Sequence, residues 1–222
     1  YSIPLKHIVT AAHYNGKIPR NPFAMYHVDP DHKEREFLTL DELTAMTEIK
    51  LEDPNMAFAR DLFIFGCWTG VSFIDTKNLT EDNISMINDA PWIVSKRQKT
   101  GVPFQVKLMD IPMQIVERYK PLRKDSHLFN IGRLDTINKR IKKVAAMCGI
   151  KKRISYHVSR HSFAVLSLEY GMPIETVSKI LGHTNITTTQ IYAKVTSSKL
   201  EHDISVFESR IKGHLPTMGG MA

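Results

Sequence analysis

Four side chains in the C-terminal part of the chain have the types and the spacing to hold a phosphodiester and attack it. They are His157, Arg160, His183 and Tyr192. An arginine fork fits two oxygens of a phosphate, and an imidazole beside it can donate to the same phosphate or move a proton. A tyrosine hydroxyl becomes a nucleophile when a base or a strong positive potential lies nearby. Each residue alone is more often structural, so it is their combination that indicates phosphoryl transfer.

The spacing of these residues indicates how the chain would bring them together. Arg160 lies three residues after His157, so the two share one face of a helix or its entry. His183 follows Leu181-Gly182, where the glycine lets the backbone turn tightly and directs the imidazole back into the site. Tyr192 lies nine residues after His183 (192 − 183), on the next predicted helix.

Most of the elements that must position this set are predicted helices. Apolar residues at helical spacing, with glycine, proline or capping residues at the ends, indicate them. The predicted helices cover 3–15, a segment opened by Thr39 with Glu42 as its capping-box partner, 54–68, a short helix or turn within 71–80, 112–119, 134–148, 158–170, 173–181, 186–195 and 198–211. Pro112 would occupy the first position of its helix.

One β-like section interrupts the helices. Its three segments, 83–87, 92–98 and 104–108, have the composition of short strands, and Thr100-Gly101 supplies the turn between the last two. Lys99 would therefore lie exposed at the tip of a hairpin. Arg97 stands two residues before it, so both side chains can point to one face. The predicted fold is mainly α with a small antiparallel β-sheet.

Positive charge dominates the composition and is clustered. The 30 Lys and Arg residues against 23 Asp and Glu residues give a formal net charge of +7. A solvated basic surface is one interpretation, and a polyanion partner such as DNA is the stronger one, because clustered cations release counterions from DNA. Candidate DNA contacts are Lys96, Arg97, Lys139, Arg140, Lys143, Lys151, Lys152 and Arg153.

The cysteines and the apolar runs indicate the kind of cellular compartment. Cys67 and Cys148 both lie in apolar runs, which is typical of buried thiols in a reducing compartment. No apolar run is long enough for a membrane span, and no signal peptide is recognisable. The chain begins with Tyr1 rather than Met, so we expect it to be a fragment of a longer protein.

The pattern of these residues resembles the tyrosine recombinase family, the phage-type integrases. The resemblance covers nearly the whole chain and is most specific between His157 and Tyr192. The matching residues are Thr69-Gly70-Val71, Asp75, Lys99, 157–164, 181–189 and Tyr192, with weaker matches at 21–23 and 37–43. The resemblance implies a catalytic domain over 37–222, a linker over 21–36 and, over 1–20, the last helix of a truncated core-binding domain.

The resemblance also implies a role for each residue of the set. Tyr192 attacks the scissile phosphate and forms a 3′-phosphotyrosyl link, while Arg160 clamps the non-bridging oxygens and His183 donates to the same phosphate. His157 assists proton transfer with the tyrosine, and Lys99 protonates the departing 5′-oxygen. No metal, other cofactor or ATP is needed, because guanidinium and imidazole donors stabilise the charge and the covalent link conserves the bond energy.

The partners that the resemblance implies are double-stranded DNA and further protomers of the same protein. A tetrameric synapse would assemble on DNA, with the helix 198–211 either exchanged between protomers or packed within its own chain. Accessory DNA-bending or excision factors are further candidate partners, whereas a membrane is not. The expected compartment is the bacterial cytoplasm, in association with the nucleoid.

One position departs from the family pattern. The family usually carries a first arginine two residues after the Thr-Gly step, and here that position is Ser72. Losing such a clamp is expected to cost on the order of several kcal/mol of transition-state stabilisation. Either another arginine compensates, with Arg97 as the best candidate, or the enzyme is weak or inactive, and we favour compensation. Some integrases of Bacteroides-type mobile elements look like this, and Asp75 matches the family's acidic, orienting position.

Three other interpretations stay open on sequence alone. His157 and His161 are four residues apart, as in a zinc-binding helix, but no Glu follows the first histidine and no third ligand is obvious. In the recombinase interpretation His161 is a structural helix residue. Residues 173–195 also match a helix-turn-helix, which would suit a non-catalytic or degenerate DNA-binding protein. A type IB topoisomerase uses similar chemistry, although the short chain favours a recombinase.

Overall fold

The computed structural model describes residues 2–25, 36–193 and 197–211 of the chain. The chain divides into two compact units, residues 1–34 and 35–222. In the first unit, helix α1 (Ser2–Tyr14) is followed by a turn in which Gly16 adopts a φ of 68°. The predicted linker, 21–36, is described only at 21–25 and at residue 36.

The second unit carries the other helices of the described residues. They are α2 (Leu40–Glu48), α3 (Pro54–Thr69), α4 (Phe73–Lys77), α5 (Asp110–Tyr119), α6 (Leu134–Met147), α7 (Tyr156–Glu169), α8 (Ile174–Ile180), α9 (Thr187–Gln190) and α10 (Ser197–Ile211). The capping box predicted for α2 is confirmed, because the Thr39 hydroxyl accepts from the Glu42 amide and the Glu42 carboxylate accepts from the Thr39 amide. Over the described ranges, each helix is too short or too polar to cross a bilayer.

Helix α3 forms the centre of the core, as its nearly uninterrupted apolar sequence predicts. Residues 62–65 are all buried, because the helix packs against α5, α6 and α7. Where α3 crosses α7, a Cβ added at Gly66 would overlap the Ser159 side chain. The glycine therefore lets α7, which carries Arg160, approach the core helix closely.

The three strands form one antiparallel sheet, as predicted. They are β1 (Ile84–Ile87), β2 (Ala90–Lys96) and β3 (Pro103–Lys107), in the order β1-β2-β3. Ile93 pairs with Val106 across β2 and β3, and both side chains are buried, so this face of the hairpin packs on the core. Beyond the strands, the Arg97 amide donates to the Val102 carbonyl at 2.8 Å and closes the hairpin loop. The mainly α fold with a small antiparallel sheet is confirmed.

The helix predicted over 186–195 differs from the structure. In the described part of this segment, 186–193, the helix is limited to the four-residue α9, and Tyr192 lies in the turn that follows it; residues 194 and 195 lie outside the described residues. Residues 187–189 are three consecutive threonines, and β-branched side chains lose rotamer freedom in a helix. At the other end of the site, α7 begins at Tyr156, two residues before the predicted start, because the Asn138 side chain accepts from its amide at 2.7 Å.

Two smaller predictions were also wrong. Pro112 is the third residue of α5 rather than the first, since the helix starts at Asp110. Cys67 is buried as predicted, but Cys148 is partly exposed because it lies at the C-terminal end of α6, where the helix leaves the core.

Candidate active site

Arg160 lies inside the molecule, between the end of α3 and the end of α8. Its Nη1 donates to the Gly70 carbonyl oxygen at 2.7 Å, and its Nη2 donates to the Leu181 carbonyl oxygen at 2.6 Å. Gly70 ends α3 with a φ of 67°, and a Cβ there would lie 2.6 Å from the Phe163 ring. Only glycine suits this position, so the Thr-Gly step both ends the helix and presents a carbonyl to the guanidinium.

The Arg160 side chain carries its charge in a poorly solvated place. It is 5% exposed, and burial, followed by the neighbouring charge of Arg97, lowers the pKa of Arg160 to about 9. Tyr192 and Asp75 act on this pKa in the opposite direction, as acidic groups do. Arg160 is still protonated at neutral pH, and its charge interacts with that of Arg97 and with Tyr192.

Arg97, the first residue after β2, is the second guanidinium of the site. A Cβ added at Gly182 would stand 2.7 Å from Arg97 Cγ, so the stem of the arginine covers this glycine. The Arg97 Nη1 pairs with the Asp75 carboxylate at 2.6 Å. Burial lowers the pKa of Arg97, and Asp75 raises it. Because Gly182 directly follows Leu181, whose carbonyl binds Arg160, the hairpin brings Arg97 to the region that holds Arg160.

Ser72 serves as the N-cap of α4. Its hydroxyl accepts from the Asp75 amide at 3.4 Å and donates to the Asp75 carboxylate at 2.6 Å. The buried Asp75 also accepts from the Gln98 amide at 2.9 Å and pairs with Arg97. Ser72 therefore orients the Asp75 carboxylate, and this carboxylate in turn binds Arg97 and Gln98, where the hairpin loop begins.

Lys99 is exposed in the loop that closes the β2–β3 hairpin. The Arg97 carbonyl accepts from the Thr100 amide at 3.3 Å and from the Gly101 amide at 2.7 Å, which makes the loop tight. Asp75 binds Arg97 and the Gln98 amide, so the two residues that precede Lys99 are held in place.

Tyr192 is buried, with 8% of its surface exposed. It belongs to a small apolar cluster that consists of Phe163, Ala164, Leu168, Val177, Leu181 and Tyr192. Its hydroxyl oxygen lies 2.6 Å from Nδ1 of His161. The structure therefore places the predicted nucleophile in an apolar cluster, with the His161 imidazole within hydrogen-bond distance of its hydroxyl oxygen.

The other two histidines lie at the edges of this region. His157 is exposed in the first turn of α7, and its ring meets that of His161 edge to face, with centroids 4.3 Å apart. His183 is half-buried after Gly182, which has a φ of 60°, and its Nδ1 lies 2.8 Å from the hydroxyl of the buried Thr189. The glycine turn predicted before His183 is therefore present.

Sequence reasoning did not identify the contacts of His161 and Thr189. His161 was expected to be only a structural residue of its helix, yet it bonds to a residue 31 positions away in the chain. Its one available signal is its position four residues after His157, which puts the two on one helix face. Among the residues that the structure describes, His, Cys, Asp and Glu side chains form no group of three or more that could hold a metal ion.

The predicted DNA contacts are mostly exposed. The exposed members are Lys96, Lys139, Lys143, Lys151 and Arg153. Arg140 is half-buried on α6. Lys152 differs from the others, because its Nζ donates to the Glu42 carboxylate at 2.6 Å and to the Phe37 carbonyl at 2.9 Å. Its charge is already paired within the fold, so it is less available to a phosphate.

Known proteins are similar to this chain in sequence and in fold. The phage integrase family model matches residues 36–199. The chain is 32% identical to the tyrosine recombinase XerD of Corynebacterium glutamicum over 141 residues, which are 60% of this chain and 46% of that protein. It is 26% identical to XerD of Oceanobacillus iheyensis over 192 residues, which are 79% of this chain and 64% of that protein. The chain thus spans less than two thirds of the length of these curated relatives.

Among solved structures, the Tn1549 transposon integrase in complex with circular intermediate DNA has the same fold. The TM-score is 0.70 at 19% sequence identity, over 90% of this chain and 75% of that chain. At this identity, the likeness establishes the architecture alone.

Proposed function

The chain belongs to the phage integrase family of tyrosine recombinases, and we propose that it is a site-specific DNA recombinase that works through a 3′-phosphotyrosyl intermediate. The observation that carries the proposal is that the Gly70 and Leu181 carbonyls hold Arg160 in the interior, where its charge interacts with both Arg97 and Tyr192. Arg160 and Arg97 can balance the charge of a phosphodiester under attack, and Arg160 can also balance that of a phenolate nucleophile.

In the proposed reaction, the Tyr192 oxygen attacks the phosphorus of the scissile phosphodiester and gives its proton to a histidine of α7. The bond from phosphorus to the 5′-oxygen breaks, and the 5′-oxygen takes a proton from Lys99. Arg160 and His183 donate to the non-bridging oxygens, where negative charge grows in the transition state. The 5′-hydroxyl of a second strand reverses these steps and reseals the DNA, so the reaction requires neither ATP nor a metal ion.

Arg97 would replace the arginine that is absent at Ser72. Its charge interacts with that of Arg160, and its stem packs on Gly182, beside the carbonyl that Arg160 binds. An arginine has five N–H donors in a planar fork, so the pair with Asp75 leaves donors for a phosphate oxygen. Asp75 would therefore orient Arg97, and we favour this compensation over a weak or inactive enzyme.

The partners of the whole protein belong to the same proposal. The exposed cations of α6, together with Lys151 and Arg153, would bind the DNA backbone. The exposed apolar side chains Leu200, Ile204 and Phe207 of α10 would pack against another protomer in a tetramer on DNA. Accessory DNA-bending or excision factors would act on this assembly in the bacterial cytoplasm, at the nucleoid. Ser72 supports an origin in a Bacteroides-type mobile element.

A helix-turn-helix module without catalysis has less support. Helix α9 has four residues, so it is only about 6 Å long. A recognition helix must lie in the major groove with several side chains on base edges, and α9 is too short for that.

Covalent capture tests the proposal. The protein is incubated with nicked suicide DNA, whose cleaved end diffuses away, and the products are separated on a denaturing gel. We expect a DNA adduct that Tyr192→Phe abolishes while DNA binding survives. Retained binding without any adduct would identify a DNA-binding protein or an inactive enzyme.

Two further arms of this experiment separate the remaining alternatives. On intact DNA, exchange of strands between two duplexes should produce recombinant molecules, whereas relaxation of a supercoiled plasmid without strand exchange would favour a type IB topoisomerase. A metal chelator should leave the adduct yield unchanged, and clear inhibition would return attention to the zinc interpretation.

A further inference from the structure

We propose that His161, rather than His157, takes the proton from Tyr192 when the tyrosine attacks DNA. This inference rests on the proposed function and names a further catalytic residue for it. The His161 Nδ1 lies 2.6 Å from the Tyr192 hydroxyl oxygen, within the distance at which a general base can abstract a proton. His161 and Tyr192 are 5% and 8% exposed, so the base must come from the protein rather than from bulk water.

The position of His157 suits a different role. It precedes His161 by four residues on α7, is exposed, and meets the His161 ring edge to face with centroids 4.3 Å apart. The His161 ring also contacts the Tyr192 ring, with centroids 5.2 Å apart. His161 thus touches both the tyrosine and the solvent-exposed histidine, which places His157 where it can help to discharge a proton from His161.

The residue before His161 in α7 supplies the matching charge. Arg160 and Tyr192 interact electrostatically, so the guanidinium charge would attract a phenolate at position 192. The surrounding side chains are apolar, and a low local dielectric strengthens this attraction. Two consecutive residues of α7 therefore have complementary roles. Arg160 stabilises the negative charge on the Tyr192 oxygen, and His161 receives the Tyr192 proton.

The step balances as a transfer of one proton and one phosphoryl group. A neutral His161, protonated at Nε2, accepts the Tyr192 proton at Nδ1 as the tyrosine oxygen bonds to phosphorus. The bond to the 5′-oxygen breaks at the same time, and that oxygen takes a proton from Lys99. During resealing, His161 returns its proton to the tyrosine as the phosphotyrosyl bond breaks.

Single-turnover adduct formation on the suicide DNA tests this assignment. In His161→Asn the side-chain amide can occupy the place of Nδ1 and keep a hydrogen bond to Tyr192, but it cannot act as a base. We expect the adduct rate to fall by about 10²–10³-fold, within the range that general acid–base catalysis typically contributes. The matched variant His157→Asn should lose much less, because it leaves the contact between His161 and Tyr192 intact.

A more acidic phenol distinguishes proton transfer from a structural role. Incorporation of 3-fluorotyrosine at position 192 makes the hydroxyl easier to deprotonate, so it should recover much of the loss in His161→Asn and change the unsubstituted protein little. A structural defect would not respond to this change. Melting temperature and DNA affinity verify the fold of the variant, and His161→Gln replaces it if the asparagine destabilises the protein.

Three results would overturn the assignment. The first is a His161→Asn variant that forms the adduct at the rate of the unsubstituted protein. The second is a His161→Asn variant whose reduced adduct rate does not respond to 3-fluorotyrosine at position 192. The third is a larger loss of adduct rate in His157→Asn than in His161→Asn. If the unsubstituted protein forms no Tyr192-dependent adduct, the proposed function itself fails, and the inference fails with it. The adduct yield of the unsubstituted protein therefore separates the two kinds of failure.

Discussion

The two sides of the site reach the same region by different means. The helical side, residues 156–193, carries Arg160, and backbone carbonyls at two separate places hold its guanidinium. The hairpin side, formed by α4 and the β2–β3 loop, carries Arg97, which a side-chain carboxylate holds. Main-chain anchors persist through most substitutions, whereas a side-chain anchor can be lost in one. The main chain therefore anchors the Arg160 guanidinium, whereas the side chain of Asp75 anchors the Arg97 guanidinium.

This difference also explains how an arginine can be absent from its usual position. Ser72 and Arg97 are 25 residues apart in sequence (97 − 72), yet both bond to Asp75. The stabilisation of a phosphate in the transition state depends on where the positive charge and the hydrogen-bond donors lie, and not on which helix or loop carries them. The hairpin side can therefore change its residues while keeping a cation, provided that the acid and the loop stay in place.

The largest expected effect comes from breaking the helical side. Arg160→Lys cannot span both carbonyls and also present a fork to a phosphate, so the rate of adduct formation should fall by about 10³-fold. Single-turnover cleavage of suicide DNA measures it. Unaltered DNA affinity would show that the loss is in the chemistry, and a rate near that of the unsubstituted protein would contradict the assigned role of Arg160.

The next effect tests the hairpin side. Arg97→Ala should lower the adduct rate by about 10²-fold, because one transition-state donor is lost. Lys96→Ala, which changes the exposed preceding residue, should lose far less.

A control separates catalysis from stability in this comparison. Arg97→Ala leaves the buried Asp75 carboxylate without its cation, which is itself destabilising. The double variant Arg97→Ala, Asp75→Asn removes that unpaired charge and should recover stability without recovering the rate. Equal losses for Arg97→Ala and Lys96→Ala would mean that Arg97 is only a backbone contact and that the missing arginine is uncompensated.

A smaller effect is expected where the two sides touch. Gly182→Ala places a Cβ 2.7 Å from Arg97 Cγ and should lower the adduct rate by about tenfold, since displacement of a catalytic group by a fraction of an ångström is costly. Gly171→Ala is the matched control, because Gly171 also has a positive φ but an added Cβ there meets no atom within 4 Å. The test compares the cleavage rates of the two variants at equal folded fraction. Equal losses of cleavage rate would show that backbone strain alone causes the effect.

The smallest catalytic effect should come from Ser72→Ala. Loss of an N-cap costs about 1 kcal/mol of stability, which denaturant unfolding measures. The adduct rate should change much less than in Arg97→Ala, because Asp75 still pairs with Arg97. A loss of rate as large as that of Arg97→Ala would indicate that the Ser72 hydroxyl itself contacts the phosphate.

Much of the fold could be predicted because its causes are local. The Thr39–Glu42 capping box, the apolar helix α3 and the antiparallel hairpin all follow from side chains within a few residues of each other. The exposure of Lys99 follows in the same way from the turn at Thr100-Gly101. The length of α9 could not be predicted, because the apolar residues that suggested a longer helix compete with three threonines of low helix propensity.

The sequence by itself determined the chemical types of the site and their order along the helical side, since His157, Arg160, His183 and Tyr192 are set by spacing and by a glycine turn. Only the tertiary structure decided which groups touch. The contact of His161 with Tyr192 and the approach of Arg97 to Gly182 join segments that are distant in sequence. Such contacts depend on how helices and hairpin pack, and no local periodicity encodes that packing.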